Sequence, residues 1–117
     1  MAQQGKEFIE VVDDQVGSPT YTIDISKALV RLVDFDTPSI LHICNDGYCS
    51  WYQFARKILD LTGFSHVKTI PVTTKKFGRP AARPGYSVLN CEKFAQLTGA
   101  KFRHWESALI DFLEELT

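Results

Sequence analysis

The chain has 117 residues, 44% of them hydrophobic, and a formal net charge of −1. That supplies enough apolar material for one domain-sized unit with a modest core. A near-neutral balance excludes binding to nucleic acid or membrane through bulk charge, and no apolar run approaches the length of a membrane span.

Charge is nevertheless uneven along the chain. From His66 to His104 the bases Lys68, Lys75, Lys76, Arg79, Arg83, Lys93, Lys101 and Arg103 face the single acid Glu92, while the flanking stretches are acidic. This asymmetry points to an anionic ligand for the middle of the chain. The three cysteines, Cys44, Cys49 and Cys91, are an odd number without framework spacing and fit a reducing compartment. His42, Cys44 and Cys49 lack a second close pair and read as ordinary residues, not metal ligands. No signal peptide precedes Glu7, so a cytoplasmic location is expected.

In chain order, Phe8–Val12 reads as a strand, and Asp13-Asp14-Gln15-Val16-Gly17 as a turn in which Gly17 can take positive φ. Ser18-Pro19-Thr20 is a helix entrance. Ile25, Ala28, Leu29, Leu32 and Val33 follow the i, i+3, i+4 spacing of a packed amphipathic helix that stops before Pro38. Ile40–Cys44 reads as a compact apolar strand with His42 inside it as a hydrogen-bonded core histidine, and Asn45-Asp46-Gly47 supplies a turn. Ser50 with Gln53 forms a capping box, opening a helix with Trp51, Phe54, Ala55, Ile58 and Leu61 inward and Gly63 at its end. Val67–Val72 is bounded like a strand. Asn90 caps a short helix carrying Phe94 and Leu97 and ending at Gly99. A last helix places Trp105, Ala108, Leu109, Phe112, Leu113 and Leu116 inward. Four helices interleaved with about four short strands predict an α/β fold.

Between the last strand and Asn90 lies Arg79–Asn90, RPAARPGYSVLN. Proline fixes its own φ and pushes the preceding residue out of the helical region, so this segment is a stiff, extended loop. Guanidinium groups on such a loop suit a phosphate or carboxylate, because the planar fork is held before the ligand arrives. Other chemistry is missing. No GxSxG, no glycine-rich dinucleotide turn and no Tyr-x-x-x-Lys occurs, the nearest approach to the last being Tyr52-Gln53-Phe54-Ala55-Arg56. Taken alone, the residues describe half a site.

The strings VVDDQVGSPTYTIDIS, ILHICNDGYCSWYQFARKI and RPAARPGYSVLNCEKF, with the closing W-E-S-A-L helix, resemble the C-terminal portion of the dTDP-4-dehydrorhamnose reductase family. The likeness runs from about Glu10 to Leu116. That family belongs to the extended short-chain dehydrogenases of the NAD(P)-binding Rossmann-like superfamily. The resemblance implies an α/β C-terminal fragment over 1–117, with 1–45 leaning on a Rossmann sheet outside this chain and 46–117 forming the substrate-binding subdomain. It implies hydride transfer from NADPH to the 4-keto carbon of a dTDP-sugar in the making of dTDP-L-rhamnose. The cofactor and the catalytic tyrosine and lysine belong to the N-terminal half, so the chain alone is expected to be inactive. Met1 falls where the family's chain is still continuing, and a fragment or truncated frame is expected.

What the resemblance carries over is the sugar-nucleotide side. Arg83 and Arg79 sit in the family's RP loop and are expected at the pyrophosphate or ribose, with Tyr86 and Ser87 lining the approach. Gln15, Ser18 and Thr20 are further substrate-side candidates, with plain turn and cap chemistry as their alternative role. A homodimer and a bound Mg2+ are compatible with the family. Two other readings compete: a regulatory or scaffolding relative of the same fold, and a minor-groove DNA binder through Lys75–Pro80, in which an extended arginine-bearing segment enters the groove.

Overall fold

The computed structural model describes residues 8–36 and 40–116. In chain order the elements are β1 (Phe8–Val12), β2 (Val16–Gly17), α1 (Thr22–Leu32), β3 (Cys49–Ser50), α2 (Trp51–Leu61), β4 (Lys68–Val72), α3 (Thr74–Phe77), α4 (Glu92–Thr98) and α5 (Trp105–Leu116). They form two compact units, each assembled from two stretches: 1–17 with 49–87, and 18–48 with 88–117. The units interleave along the chain.

In the first unit β1 and β4 pair in parallel, with Phe8 opposite Lys68 and Val12 opposite Val72. A parallel pair needs a crossover, and α2 packs against both strands. β2 and β3 add a short antiparallel pair, Val16 with Ser50 and Gly17 with Cys49. Gly17 therefore lies in a strand and not at a positive φ. Val12, Val72, Val67, Leu59 and Cys49 are buried here. The capping box at Ser50 is complete: its hydroxyl accepts the Gln53 amide, and the Gln53 side chain accepts the Ser50 amide. Such a cap is worth about 1 kcal/mol.

The inward face of α2 differs from the expected one. Leu59 is buried, whereas Trp51 is 57% exposed and Leu61 is exposed. Arg56, in the middle of α2, reaches over the turn that follows the helix. Its guanidinium donates to the carbonyls of Val67 at 2.7 Å and Ser65 at 3.1 Å while pairing with Asp60 at 2.8 Å. Ala55 and Arg56 are half-buried beside the buried Leu59, and Trp51 lies edge-on to Phe54, ring centroids 6.4 Å apart.

In the second unit Ala28, Cys44, Phe94, Trp105, Ala108 and Leu109 are buried, with the Phe94 and Phe102 rings 4.9 Å apart. Burying one such aromatic stabilises by about 1.5–3 kcal/mol. Asn90 does serve the start of α4, its side-chain oxygen accepting the Glu92 amide at 2.9 Å while Cys91 occupies the cap position. On α1 only Ala28 is buried; Leu29, Val30 and Val33 are 54%, 73% and 81% exposed. Phe112 and Leu116 on α5 are exposed as well. Pro38, the expected stop of α1, lies outside the described residues.

Ile40–Cys44 is not a strand, and His42 is exposed. A strand exists through its ladder, and no described segment offers Ile40–Cys44 one. Among the described residues, the backbone pairing nearby is the bridge between Asp46 and His104.

Candidate functional site

The proline-arginine loop is held at both ends within the first unit. After β4, the Thr73 hydroxyl accepts the Lys76 amide at 3.1 Å and opens α3, a one-turn helix that the spacing does not predict. Gly78 closes it at φ 75°, a left-handed conformation that a side chain disfavours. Arg79 follows directly, with its Cζ 4.8 Å from the Phe77 ring centroid, a cation–π distance. Pro80–Pro84 is exposed. Beyond it the chain is pinned to β2: the Val16 amide donates to Gly85 at 2.8 Å, and the Ser87 amide donates to Val16 at 2.8 Å, giving a bridge between Val16 and Tyr86.

The Asp14-Gln15 pair ties that frame together. The Asp14 carboxylate accepts the Thr74 amide at 2.9 Å and also its hydroxyl, and Gln15 Nε2 donates to the same hydroxyl oxygen at 3.1 Å. The Thr74 side-chain bond, then its backbone bond, hold the Asp14 carboxyl below its ordinary pKa. Asp13 makes the matching contact to β3, accepting the Ser50 hydroxyl at 2.6 Å.

The sequence-predicted residues therefore divide. Arg79, Arg83, Tyr86, Ser87 and Gln15 all belong to the first unit, on or against this loop. Arg83 is exposed and makes no hydrogen bond or ion pair among the described residues. The Gln15 amide is spent on Thr74, and the Ser87 hydroxyl donates to Val16 at 3.3 Å. Gly17 packs close to that hydroxyl, where a Cβ would stand 3.0 Å from Ser87 Oγ.

Thr20 lies in the second unit, and Ser18 with it. Thr20 donates to the Ser18 carbonyl at 2.9 Å and accepts the Asn45 amide at 3.3 Å; Ser18 donates to the Gly47 carbonyl at 2.8 Å. Both serve a hub that sequence reasoning missed. Asn45, 1% exposed, accepts the Tyr21 amide and donates to Asp24, each at 2.8 Å. Arg103 grips Asp24 through two bonds of 2.9 and 3.1 Å and reaches Asp111 as well. Burial works against the Asp24 carboxylate, but the bonds from Arg103 and Asn45 outweigh it and lower its pKa. The available sequence signal was the Asn45-Asp46-Gly47 turn, which hid a buried polar anchor.

An open depression of about 430 Å³ lies on the second unit, with Lys27, Arg31, Lys101 and Arg103 around Phe94. None of the sequence-predicted site residues lines it. Among the described residues no group of three or more His, Cys, Asp or Glu could hold a metal ion, and no helix is long and apolar enough to cross a membrane. Neither parallel strand is followed by a glycine-rich phosphate turn, so these residues do not fit a dinucleotide. Of the stretch Lys75–Pro80, Lys75–Phe77 is helical and not extended.

Residues 1–117 match the family described as RmlD substrate binding domain. The spore coat polysaccharide biosynthesis protein SpsK of Bacillus subtilis is 41% identical over 94% of this chain and 38% of its own length. A dTDP-4-dehydrorhamnose reductase of Mycobacterium tuberculosis H37Rv is 39% identical over 90% of this chain and 35% of its own. Among solved structures, a dTDP-4-dehydrorhamnose reductase from Clostridium acetobutylicum superposes with a TM-score of 0.87 at 38% identity. Another from Bacillus anthracis, in complex with NADP, does so with 0.86 at 36%; each alignment covers 97% of this chain and 40% of the other. The chain thus spans about two fifths of the length of the relatives it matches.

Proposed function

Since the chain belongs to the RmlD substrate binding domain family, with the mixed α/β fold of part of an extended short-chain dehydrogenase, we propose that it is the sugar-nucleotide-binding part of a dTDP-4-dehydrorhamnose reductase. The substrate is a dTDP-4-keto-6-deoxy sugar, and the product feeds a cytoplasmic route to rhamnose-containing polysaccharide. The observation that carries this reading is the loop Arg79–Pro84. It presents two guanidinium groups from a frame fixed by α3 on one side and β2 on the other, and among the described residues Arg83 makes no competing bond.

In this reading Arg83 grips the pyrophosphate, Arg79 adds charge from its place over Phe77, and Tyr86 and Ser87 line the approach. Gln15 acts by holding α3, and Thr20 by supporting the turn before α1. NADPH would supply the hydride from the part of the relatives' length that this chain does not span, as a structure of one relative in complex with NADP supports. Segment 1–45 leans on the nucleotide-binding sheet. The exposed Leu29, Val30 and Val33 are the side that meets it, and Ile40–Cys44 completes its ladder there. The regulatory or scaffolding alternative keeps this same loop but lacks turnover in the assembled protein.

The test joins this chain to the nucleotide-binding half of a dTDP-4-dehydrorhamnose reductase. Arg83→Ala is expected to weaken dTDP-sugar binding by about 1.5–3 kcal/mol, roughly ten- to a hundred-fold, with NADPH affinity unchanged. Arg83→Lys recovers part of the loss, keeping the charge without the fork. Unchanged sugar-nucleotide affinity in Arg83→Ala, or an equal loss for NADPH, overturns the assignment. Binding of both ligands without any oxidation of NADPH selects the scaffolding alternative.

A further inference from the structure

Cys44 and Cys91 are 47 residues apart in the chain, yet their sulfurs stand 3.3 Å apart within the second unit. Cys44 is buried beside the anchor Asn45, and Cys91 is half-buried at the entrance of α4. Each thiol is also directed at backbone on the other side, Cys44 towards the Leu89 carbonyl and Cys91 towards the Cys44 carbonyl, both at 3.9 Å. We propose that this pair is a reversible redox site at which a small-molecule disulfide oxidises the two thiols to a Cys44–Cys91 disulfide. The inference is independent of the sugar-nucleotide reading.

The geometry favours closure. A disulfide needs the sulfurs at ~2.05 Å, so an approach of little more than about 1 Å joins them. The two positions belong to different segments, so the bond would tie the residue before Asn45 to the start of α4 and close a long loop. Burial first, then the neighbouring Cys44, push the Cys91 thiol up to about 11. At neutral pH the Cys91 thiol is therefore mostly protonated and reacts slowly, which suits a site that responds to sustained oxidation.

With oxidised glutathione as the oxidant, the more accessible Cys91 thiolate attacks one glutathione sulfur. A Cys91–glutathione mixed disulfide forms, and the first reduced glutathione leaves. The Cys44 thiolate then attacks Cys91 Sγ, breaking that bond and releasing the second glutathione. Two electrons pass from the cysteines to glutathione, and the two thiol protons end on the two released glutathione thiols. Cys44 needs no access to bulk solvent, because its only target is Cys91.

The experiment uses the purified chain, fully reduced, freed of reductant and incubated with excess oxidised glutathione at mildly alkaline pH. Thiols are then counted after denaturation, and the cross-links are mapped by peptide mass spectrometry. Of the three thiols, two are expected to be lost and Cys49 to remain, with no glutathione retained, a single Cys44–Cys91 cross-linked peptide, and full recovery on reduction. Cys49→Ser should behave in the same way, whereas Cys91→Ser should form no intramolecular cross-link. Three persistent thiols, a stable glutathione adduct on Cys91, or a cross-link that includes Cys49 would each overturn the proposal. If Cys91→Ser does not fold, the wild-type peptide map still decides between these outcomes.

Discussion

Asp14 and Thr74, 60 residues apart in the chain, are joined by a carboxylate that accepts both the amide and the hydroxyl of Thr74. The contact sits at the first residue of α3, the helix that delivers the arginine loop. It makes the DQ pair a tether for the loop.

If the tether sets the loop, removing it should matter more for ligand than for fold. Asp14→Ala, in the chain joined to its nucleotide-binding half, is expected to raise the KM for the sugar nucleotide several-fold with NADPH affinity intact. Asp14→Asn keeps one acceptor and should recover part of the loss. Equal effects on both ligands would show a general loss of structure.

Arg79 and Arg83 should not be equivalent. Arg79 stacks on Phe77, while Arg83 has no such support among the described residues. Phe77→Leu removes a cation–π contact worth about 0.5–1 kcal/mol at an exposed site. It should therefore mimic a mild Arg79 defect and leave the effect of Arg83→Ala unchanged. Additivity of Phe77→Leu with Arg79→Ala in a double-mutant cycle would argue against the stacking role.

Stability should fall in acid for a specific reason. Asp14 and Asp24 both have lowered pKa values in the folded chain, set against about 3.9 when unfolded. Groups shifted down contribute stability that is complete above the unfolded pKa and is lost as pH falls through the folded one. The urea midpoint should thus hold from neutrality to about pH 5 and decline below about pH 4. Asp24→Asn should flatten that decline; an unaltered profile would place the acid sensitivity elsewhere.

Gly47→Ala should destabilise by about 1–3 kcal/mol, the usual cost of a strained backbone position. Gly47 holds φ 82°, and a Cβ there would stand 2.4 Å from His104 Nε2 and 3.1 Å from Trp105 Cδ1. His104 is exposed and can turn aside; the buried Trp105 cannot. An unchanged urea midpoint would show that the turn relaxes without cost.

The outer side of α1 gives a prediction for the chain on its own. Exposed Leu29, Val30 and Val33 should drive self-association, and Val30→Lys with Val33→Glu should suppress it in sedimentation measurements. A wild-type chain that stays monomeric at high concentration would count against an unmet apolar face.

Local order was legible because it is encoded locally. The Ser50–Gln53 box, the glycine after α4 and the β-rich runs Phe8–Val12 and Lys68–Val72 each depend on a few neighbours and their backbone preferences, and they stand where the spacing puts them. The proline-arginine loop was readable for the same reason, since proline restricts its own φ and that of its neighbour. Tertiary structure decided what depends on partners distant in the chain. On α2 Leu59 went inward and Trp51 did not, while Arg56 bonded the distant Val67 carbonyl, and Asn45 became a buried anchor through Tyr21, Asp24 and Arg103. Ile40–Cys44 shows the same limit from the other side. Its composition is that of a strand, but a strand also needs a neighbour to bond, and no described segment provides one.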